Sequence, residues 1–384
     1  MQSNEYVITK QGNVLLDIEH SREKIVDGLH AKLASSHIPA LDGVRAIAVF
    51  LVIFYHFGIM FVPGGSGVMM FFVLSGFLIT WLLLKENEKY GKISLKGFYR
   101  RRILRIFPAF YLYWIGLVFL LLITGKRLLW PQAISSFFYL TNYYNAIFGD
   151  PNTGFSHTWS LAIEEQFYLL WPFFFSKFRH NLNKMTGFLV MVIAGVWIHR
   201  IVLFYVFNVD QAYFYASFDT RMDSLMVGCL CAVLLKRGVI KQFWEFICSN
   251  LFMPLITISL LAASIYFGGY ISSRYRDIIG FAIDPLLIAL LIVQLVSLSS
   301  TSYLKWIDWP VVRYLGRISY SLYLYQQLTM DPVRKILSGT PVLAQLIAAV
   351  TVTIIIASIS YYVIERPFLK LKDNKLNMLA AQKA

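Results

Sequence analysis

This sequence predicts an all-α polytopic membrane protein of about ten transmembrane helices with both termini cytoplasmic, and three observations carry that expectation. The 384 residues are 58% hydrophobic but only 15% charged, whereas a soluble domain carries about 25%. Several apolar runs approach or exceed the roughly 18 residues that cross a bilayer. The formal net charge of +14 is gathered between those runs, where the positive-inside rule puts it. That charge is therefore read as topology, and no nucleic-acid partner is expected.

Taken in order, the spans are expected near 40–61, 68–84, 105–124, 158–176, 186–207, 213–235, 251–270, 278–298, 311–331 and 341–363. Residues 1–38 are polar and of mixed charge, as in SREKIVDGLHAKL. They read as a cytoplasmic tail with one amphipathic helix and no signal peptide. Residues 39–368 form the membrane domain, and 369–384 a second cytoplasmic tail. The loop after span two carries Lys85, Lys89, Lys92, Lys96, Arg100, Arg101, Arg102 and Arg105, which assigns it to the cytoplasm and the turn VPGGSG to the outside. Lys177, Arg179 and Lys184 then fall inside, as do Lys236, Arg237 and Lys241. Lys126, Arg127, Arg274, Arg276, Arg334 and Lys335 run against the trend. The segment 131–148, PQAISSFFYLTNYYNAIF, is apolar enough to touch lipid. A span there would invert every later loop, so it is expected outside, re-entrant or at the interface. Cys229, Cys231 and Cys248 have no metal-ligand or disulfide spacing, and no metal is expected.

The first span holds the stretch RAIAVFLVIFYH. Eleven residues turn a helix through three revolutions plus about 20°, so Arg45 and His56 share one face, about 16 Å apart along the axis. Asp42 falls near the same stripe. An arginine or acid inside a span costs about 2.5–3.5 kcal/mol and usually faces a cavity or bundle interior. The plainer alternative is an Arg45 that snorkels to headgroups and a neutral, hydrogen-bonded His56.

Other polar groups could join that face. His157, Ser160 and Glu164 lie at i, i+3 and i+7 of span four, with Glu165 adjacent. They are either one functional stripe or an interfacial anchor. Arg221 and Asp223 open span six and could bind substrate or form a structural ion pair. Asp284, before Pro285, is an acid or a kink partner. Ser75–Gly76 is a small pair that admits a neighbouring helix or a thin ligand arm. Arg102 and Arg105, at i and i+3, suit phosphate recognition or anionic lipid headgroups.

Read together, the segments IPALDGVRAIAVFLVIFYH, GVMMFFVLSGFLIT, FYRRRILRIFPAFYLY, HTWSLAIEEQFYLLWP, TRMDSLMVG, LGRISYSLYLYQQ and YYVIERPF resemble, in this order, the acyltransferase-3 family of integral membrane acyltransferases, from about residue 38 to 368. The resemblance implies about ten spans in the inner or plasma membrane. It implies transfer of an acyl group, often acetyl from cytoplasmic acetyl-coenzyme A, to a hydroxyl of an exported molecule such as O-antigen, exopolysaccharide or peptidoglycan. It matches the family's helix-one arginine and histidine to Arg45 and His56, its arginine pair to Arg102 and Arg105, its serine-glycine motif to Ser75 and Gly76, and its span-four glutamate to Glu164. Two positions depart from the family: Met69 where Asp is common, and Gln326 where His is common. The esterase-like domain fused to some members is not expected here.

The mechanism expected on this resemblance places coenzyme A phosphates on Arg102, Arg105 and Arg45, with its arm passing Ser75–Gly76. His56 acts as general base or transient acyl carrier, and Glu164 or Glu165 orients its imidazole. Asp42, His157, Arg221 and Asp223 are expected to serve the acceptor. The expected partners are acyl-coenzyme A, a glycan acceptor and membrane lipids, and a homo-oligomer is compatible with the sequence. Two other classes remain open. A glycan or lipid-linked-intermediate flippase would show discontinuous paired spans and repeat symmetry. A non-catalytic assembly partner would bind no coenzyme A.

Overall fold

The computed structural model describes residues 28–29, 31–33, 35 and 38–371. Most of both expected tails, including most of the expected amphipathic helix, lies outside the described residues. The described chain is predominantly helical, with no strand among its elements.

Among the described residues, seven helices are long and apolar enough to cross a membrane. Four of them are α1 (Pro39–Phe57), α2 (Gly64–Tyr90), α3 (Leu95–Ile123) and α7 (Leu182–Tyr205). Between α3 and α7 come α4 (Trp130–Phe137), α5 (Thr141–Phe148) and α6 (Trp159–Phe178). After α7 follow α8 (Gln211–Ala216), α9 (Phe218–Arg237) and α10 (Lys241–Ile247). The other apolar rods contain α11 (Phe252–Tyr266), α12 (Phe281–Leu298) and, after α13 (Pro310–Arg317) and α14 (Ser319–Ile336), α15 (Val342–Ser360). Three further helices, α6, α9 and α14, are 20, 20 and 18 residues long. They are less uniformly apolar because they bear much of the bundle's internal polar surface. Each expected span overlaps one of these ten helices, although the ninth is shared with the shorter α13.

The boundaries differ from expectation where side chains or close crossings intervene. Helix α3 starts ten residues before the expected span, because Ser94 caps it by accepting from Gly97 N and the run YRRR is helical. Span nine divides into α13 and α14. A Cβ on Gly316 would lie 1.8 Å from the carbonyl oxygen of Asp42, so α13 crosses the start of α1 at backbone contact. Span six starts at Phe218, since Ser217 is extended.

Segment 131–148 folds into α4 and α5, each of eight residues and too short to span. Its buried groups explain the fold. Gln132 donates to Asn145 Oδ1 (3.3 Å) and Ser156 Oγ (3.2 Å), and Asn145 donates to Ser156 O (3.0 Å). These bonds tie the segment to the residues leading into α6.

A second close crossing is that of α2 on α9, where each helix contributes a glycine. A Cβ on Gly76 would stand 1.9 Å from Leu225 O, and one on Gly228 would stand 2.0 Å from Val73 O. Glycines let the two backbones touch, as small residues do in membrane bundles. Cys229 and Cys231 are free and buried beside this crossing.

Candidate active site

Helices α1, α2, α3, α6 and α14 line a partly open cavity with about 920 Å³ of empty space in and around its mouth. Arg45, Ser75, Arg102, Arg105, Glu164 and Glu165, expected at the site from sequence, all line it. Along α2 the lining runs from Val68 to Leu82, about 21 Å of helix. The arginines lie toward the end that the positive-inside reading assigns to the cytoplasm, and Phe71, Phe72, Ser160 and Tyr323 toward the other.

The polar contacts in the middle of the cavity form a chain. Tyr168 donates to Ser75 Oγ at 3.0 Å, and Ser75 donates to Glu164 Oε1 at 2.6 Å. The guanidinium of Arg102 lies 5.1 Å from the centre of the Tyr168 ring, within range of a cation–π interaction. Arg45 pairs with Asp42 at 2.7 Å. Beside that pair, Arg102 and Arg105 share the cavity with Glu164 and Glu165.

Gly76 requires a correction. It is expected at the cofactor path, but it faces α9, and the Leu225 carbonyl fills the space a ligand arm would need. Successive helical residues point about 100° apart, so Ser75 meets the cavity while Gly76 meets a backbone.

His56 requires another. It is not among the residues lining the cavity. It is half-buried, and its Nδ1 is buried without a hydrogen-bond partner. The side chain facing its ring is Gln326, and His157 is close enough to bear on it electrostatically. Glu164 is not its partner, because that carboxylate is held by Ser75. Glu164 is seven residues past His157, which stands in the turn leading into α6, or about 10 Å if that turn continues the helix; it is His157 that bears on His56.

A hydroxyl pair lining the cavity reaches His157. Ser160 Oγ and Tyr323 Oη are 2.5 Å apart, and Tyr323 donates to His157 O at 2.9 Å. The buried His157 ring has Nε2 3.2 Å from Leu324 O and edges against Tyr113 and Tyr323. Gln326 is wholly buried, and both of its side-chain polar atoms lack a hydrogen-bond partner.

Arg221 and Asp223 lie elsewhere and do not pair with each other. Asp223 pairs with Arg200 of α7 at 2.7 Å, both fully buried, and accepts from Trp197 Nε1 at 3.0 Å. Arg221 stacks on Phe281, 3.8 Å from the ring centre. Asp284 accepts from Ser264 at 2.6 Å. Arg200, Tyr168, Tyr320 and Tyr323 were not singled out from the sequence. The signal for Tyr168 was available, one turn beyond Glu164 on the same face.

These cavity residues come from the ordered motifs read in the sequence, and a direct comparison decides what they belong to. A family model described as an acyltransferase domain, that of the acyltransferase-3 family, matches residues 38–362. The chain belongs to the acyltransferase-3 family. It is therefore a multi-pass membrane protein of that family, and the cavity arginines, Ser75 and the glutamates fall within the matched domain. Among curated relatives it is 33% identical over 356 residues to "Putative peptidoglycan O-acetyltransferase YrhL" of Bacillus subtilis (strain 168), covering 86% of this chain and 55% of that protein. It is 31% identical over 367 residues to O-acetyltransferase OatA of Staphylococcus aureus (strain NCTC 8325 / PS 47), covering 87% and 57%. The chain thus spans a little over half the length of these relatives. No solved structure matches it.

Proposed function

We propose that this acyltransferase-3 protein is a membrane O-acetyltransferase that moves acetyl from cytoplasmic acetyl-coenzyme A to a hydroxyl of an exported cell-envelope glycan. The observation that carries the reading is the single cavity holding Arg45, Arg102 and Arg105 together with Ser75 and the glutamate pair. Guanidiniums grip phosphates by charge and fork geometry. A lining about 21 Å long suits an extended thioester arm entering from the basic end. The names of the relatives, which refer to O-acetylation, support the choice of acetyl and oxygen.

In this reading the coenzyme A phosphates sit on Arg102 and Arg105, aided by Arg45. The arm passes Ser75, and the thioester reaches the Ser160–Tyr323 end. His56 takes the proton of the acceptor hydroxyl or carries the acyl group transiently. Gln326 and His157 set the position of its imidazole. Arg221 stands apart from the cavity and keeps only an acceptor-side role in this reading.

The test is acetyl transfer by the purified protein in vesicles, using labelled acetyl-coenzyme A and soluble peptidoglycan glycan strands as acceptor. Label on the glycan, lost in His56→Ala, is the expected result. Binding of coenzyme A without label on any glycan hydroxyl would refute the transfer.

A further inference from the structure

The two ends of the cavity differ in how open they are. At the arginine end the lining residue Leu82 is exposed, whereas at the other end Val68, Phe72 and Tyr323 are buried. A donor whose phosphates stay with the arginines therefore carries its acyl group toward the buried end. What stands there decides which acyl group fits.

That end is walled by rings. Val68, Phe71 and Phe72 continue the lining stripe of α2 that holds Ser75, since residues three and four apart share a helix face. Phe71 meets the Tyr323 ring edge to face, with centres 6.3 Å apart, and Phe72 meets Trp159 in the same way at 6.1 Å. The Tyr323 ring is held in place. Its hydroxyl lies 2.5 Å from Ser160 Oγ and donates to His157 O at 2.9 Å, and its ring packs on that of His157 at 5.5 Å. Trp159, behind Phe72, is backed in turn by Tyr215 at 4.9 Å. Of the three lining rings Phe71, Phe72 and Tyr323, Phe71 is the least buried. A thioester carbonyl directed at the Ser160–Tyr323 hydroxyls turns its acyl carbons toward Val68, Phe71 and Phe72. Rings braced on both sides yield to extra methylenes only at a cost.

We infer that Phe71, braced by Tyr323, sets the acyl length: it admits a two-carbon acyl group and excludes longer chains. The inference rests on the donor site and the transfer proposed above, and it names what in this chain limits the donor's acyl group. One methylene in an apolar pocket changes kcat/KM by about 10–200-fold. Propionyl should therefore be transferred at least about tenfold less efficiently than acetyl, and butyryl at least about a hundredfold less.

The test compares acetyl-, propionyl- and butyryl-coenzyme A as donors for the full-length protein in vesicles, with soluble peptidoglycan glycan strands as acceptor. Phe71→Ala should bring butyryl to within about tenfold of acetyl, the discrimination of a single methylene, and should bind free coenzyme A as wild type does. Phe71→Leu, which keeps more of the packing, should shift the preference in the same direction by less, and it decides the matter where the alanine variant folds poorly. A merely structural ring would lower the transfer of every donor alike and leave their ratio unchanged. Equal use of acetyl and butyryl by wild type, a wild-type donor ratio in both folded variants, or weakened binding of free coenzyme A by Phe71→Ala would each overturn the role of Phe71. Wild type that binds no coenzyme A or transfers no acetyl would overturn the donor site and the transfer themselves.

Discussion

Ser75 donates a 2.6 Å hydrogen bond to Glu164, joining α2 to α6 inside the cavity. The two residues are 89 positions apart, and the bond ties one carboxylate of the adjacent pair to α2. A buried acceptor that loses its donor costs about 1–3 kcal/mol. Ser75→Ala should therefore lower the unfolding midpoint of the detergent-solubilised protein and slow transfer, while coenzyme A affinity changes by only a few-fold. A large loss of affinity with unchanged stability would mean that Ser75 contacts the ligand directly.

Gly76, beside it, should fail in a different way. A methyl at this position meets a main-chain carbonyl at 1.9 Å, and no flexible side chain is there to yield. Overpacking a core typically costs about 1–3 kcal/mol. Gly76→Ala should reduce the yield of monodisperse protein on size-exclusion chromatography, and Gly228→Ala should do the same. The protein that does fold should keep wild-type coenzyme A affinity. Normal yield with weakened affinity would return Gly76 to the ligand path.

The arginine pair should report through salt as well as affinity. Hydrogen bonds to charged groups contribute about 1.5–3 kcal/mol each. Arg102→Ala with Arg105→Ala should then weaken coenzyme A binding by at least about tenfold and flatten its dependence on ionic strength. Unchanged binding would leave the cluster a topological signal only.

What was legible in the sequence was what local spacing encodes. The apolar runs marked where the long helices lie, and the 11-residue interval between Arg45 and His56 placed them on one face of α1. The basic loop marked the arginine end of the cavity. Pairings across helices were not legible. Nothing local to Glu164 indicates that its partner is Ser75 of α2 rather than His56 of α1. Ser75–Gly76 read as one motif, although adjacent helical residues point in different directions and meet different neighbours. Arg200 in WIHR carried no signal of its own, because its partner Asp223 stands on another helix. Gln326 was noted only as a departure from the family, and its place facing His56 came from the fold.

The pair of Arg200 and Asp223 makes a stability prediction independent of catalysis. Both side chains are fully buried, and removing one partner of such a pair costs about 3–5 kcal/mol because the other charge is left uncompensated. Asp223→Asn should abolish or severely lower folded yield. Replacing both, as Arg200→Met with Asp223→Leu, should recover much of it, since an apolar pair of similar volume carries no desolvation cost. If the double variant is no better folded than the single, the pair is not an isolated ionic unit and Trp197 or Thr220, which also bond to it, sets the requirement.

His56 offers the sharpest separation of chemistry from structure. Its ring nitrogen Nδ1 has no hydrogen-bond partner, so His56→Ala removes few structural contacts and should leave the unfolding midpoint within a degree or two of wild type. It lies outside the cavity lined by the arginines, so coenzyme A affinity should also be preserved. Acetyl transfer to glycan should fall by about two to four orders of magnitude, the range for a lost general base. His56→Gln should be equally inactive, because an amide matches the shape but not the basicity. Transfer retained in both variants, with the protein folded and coenzyme A bound, would move the acceptor-side base to the neighbouring His157, whose Nδ1 is likewise unpartnered.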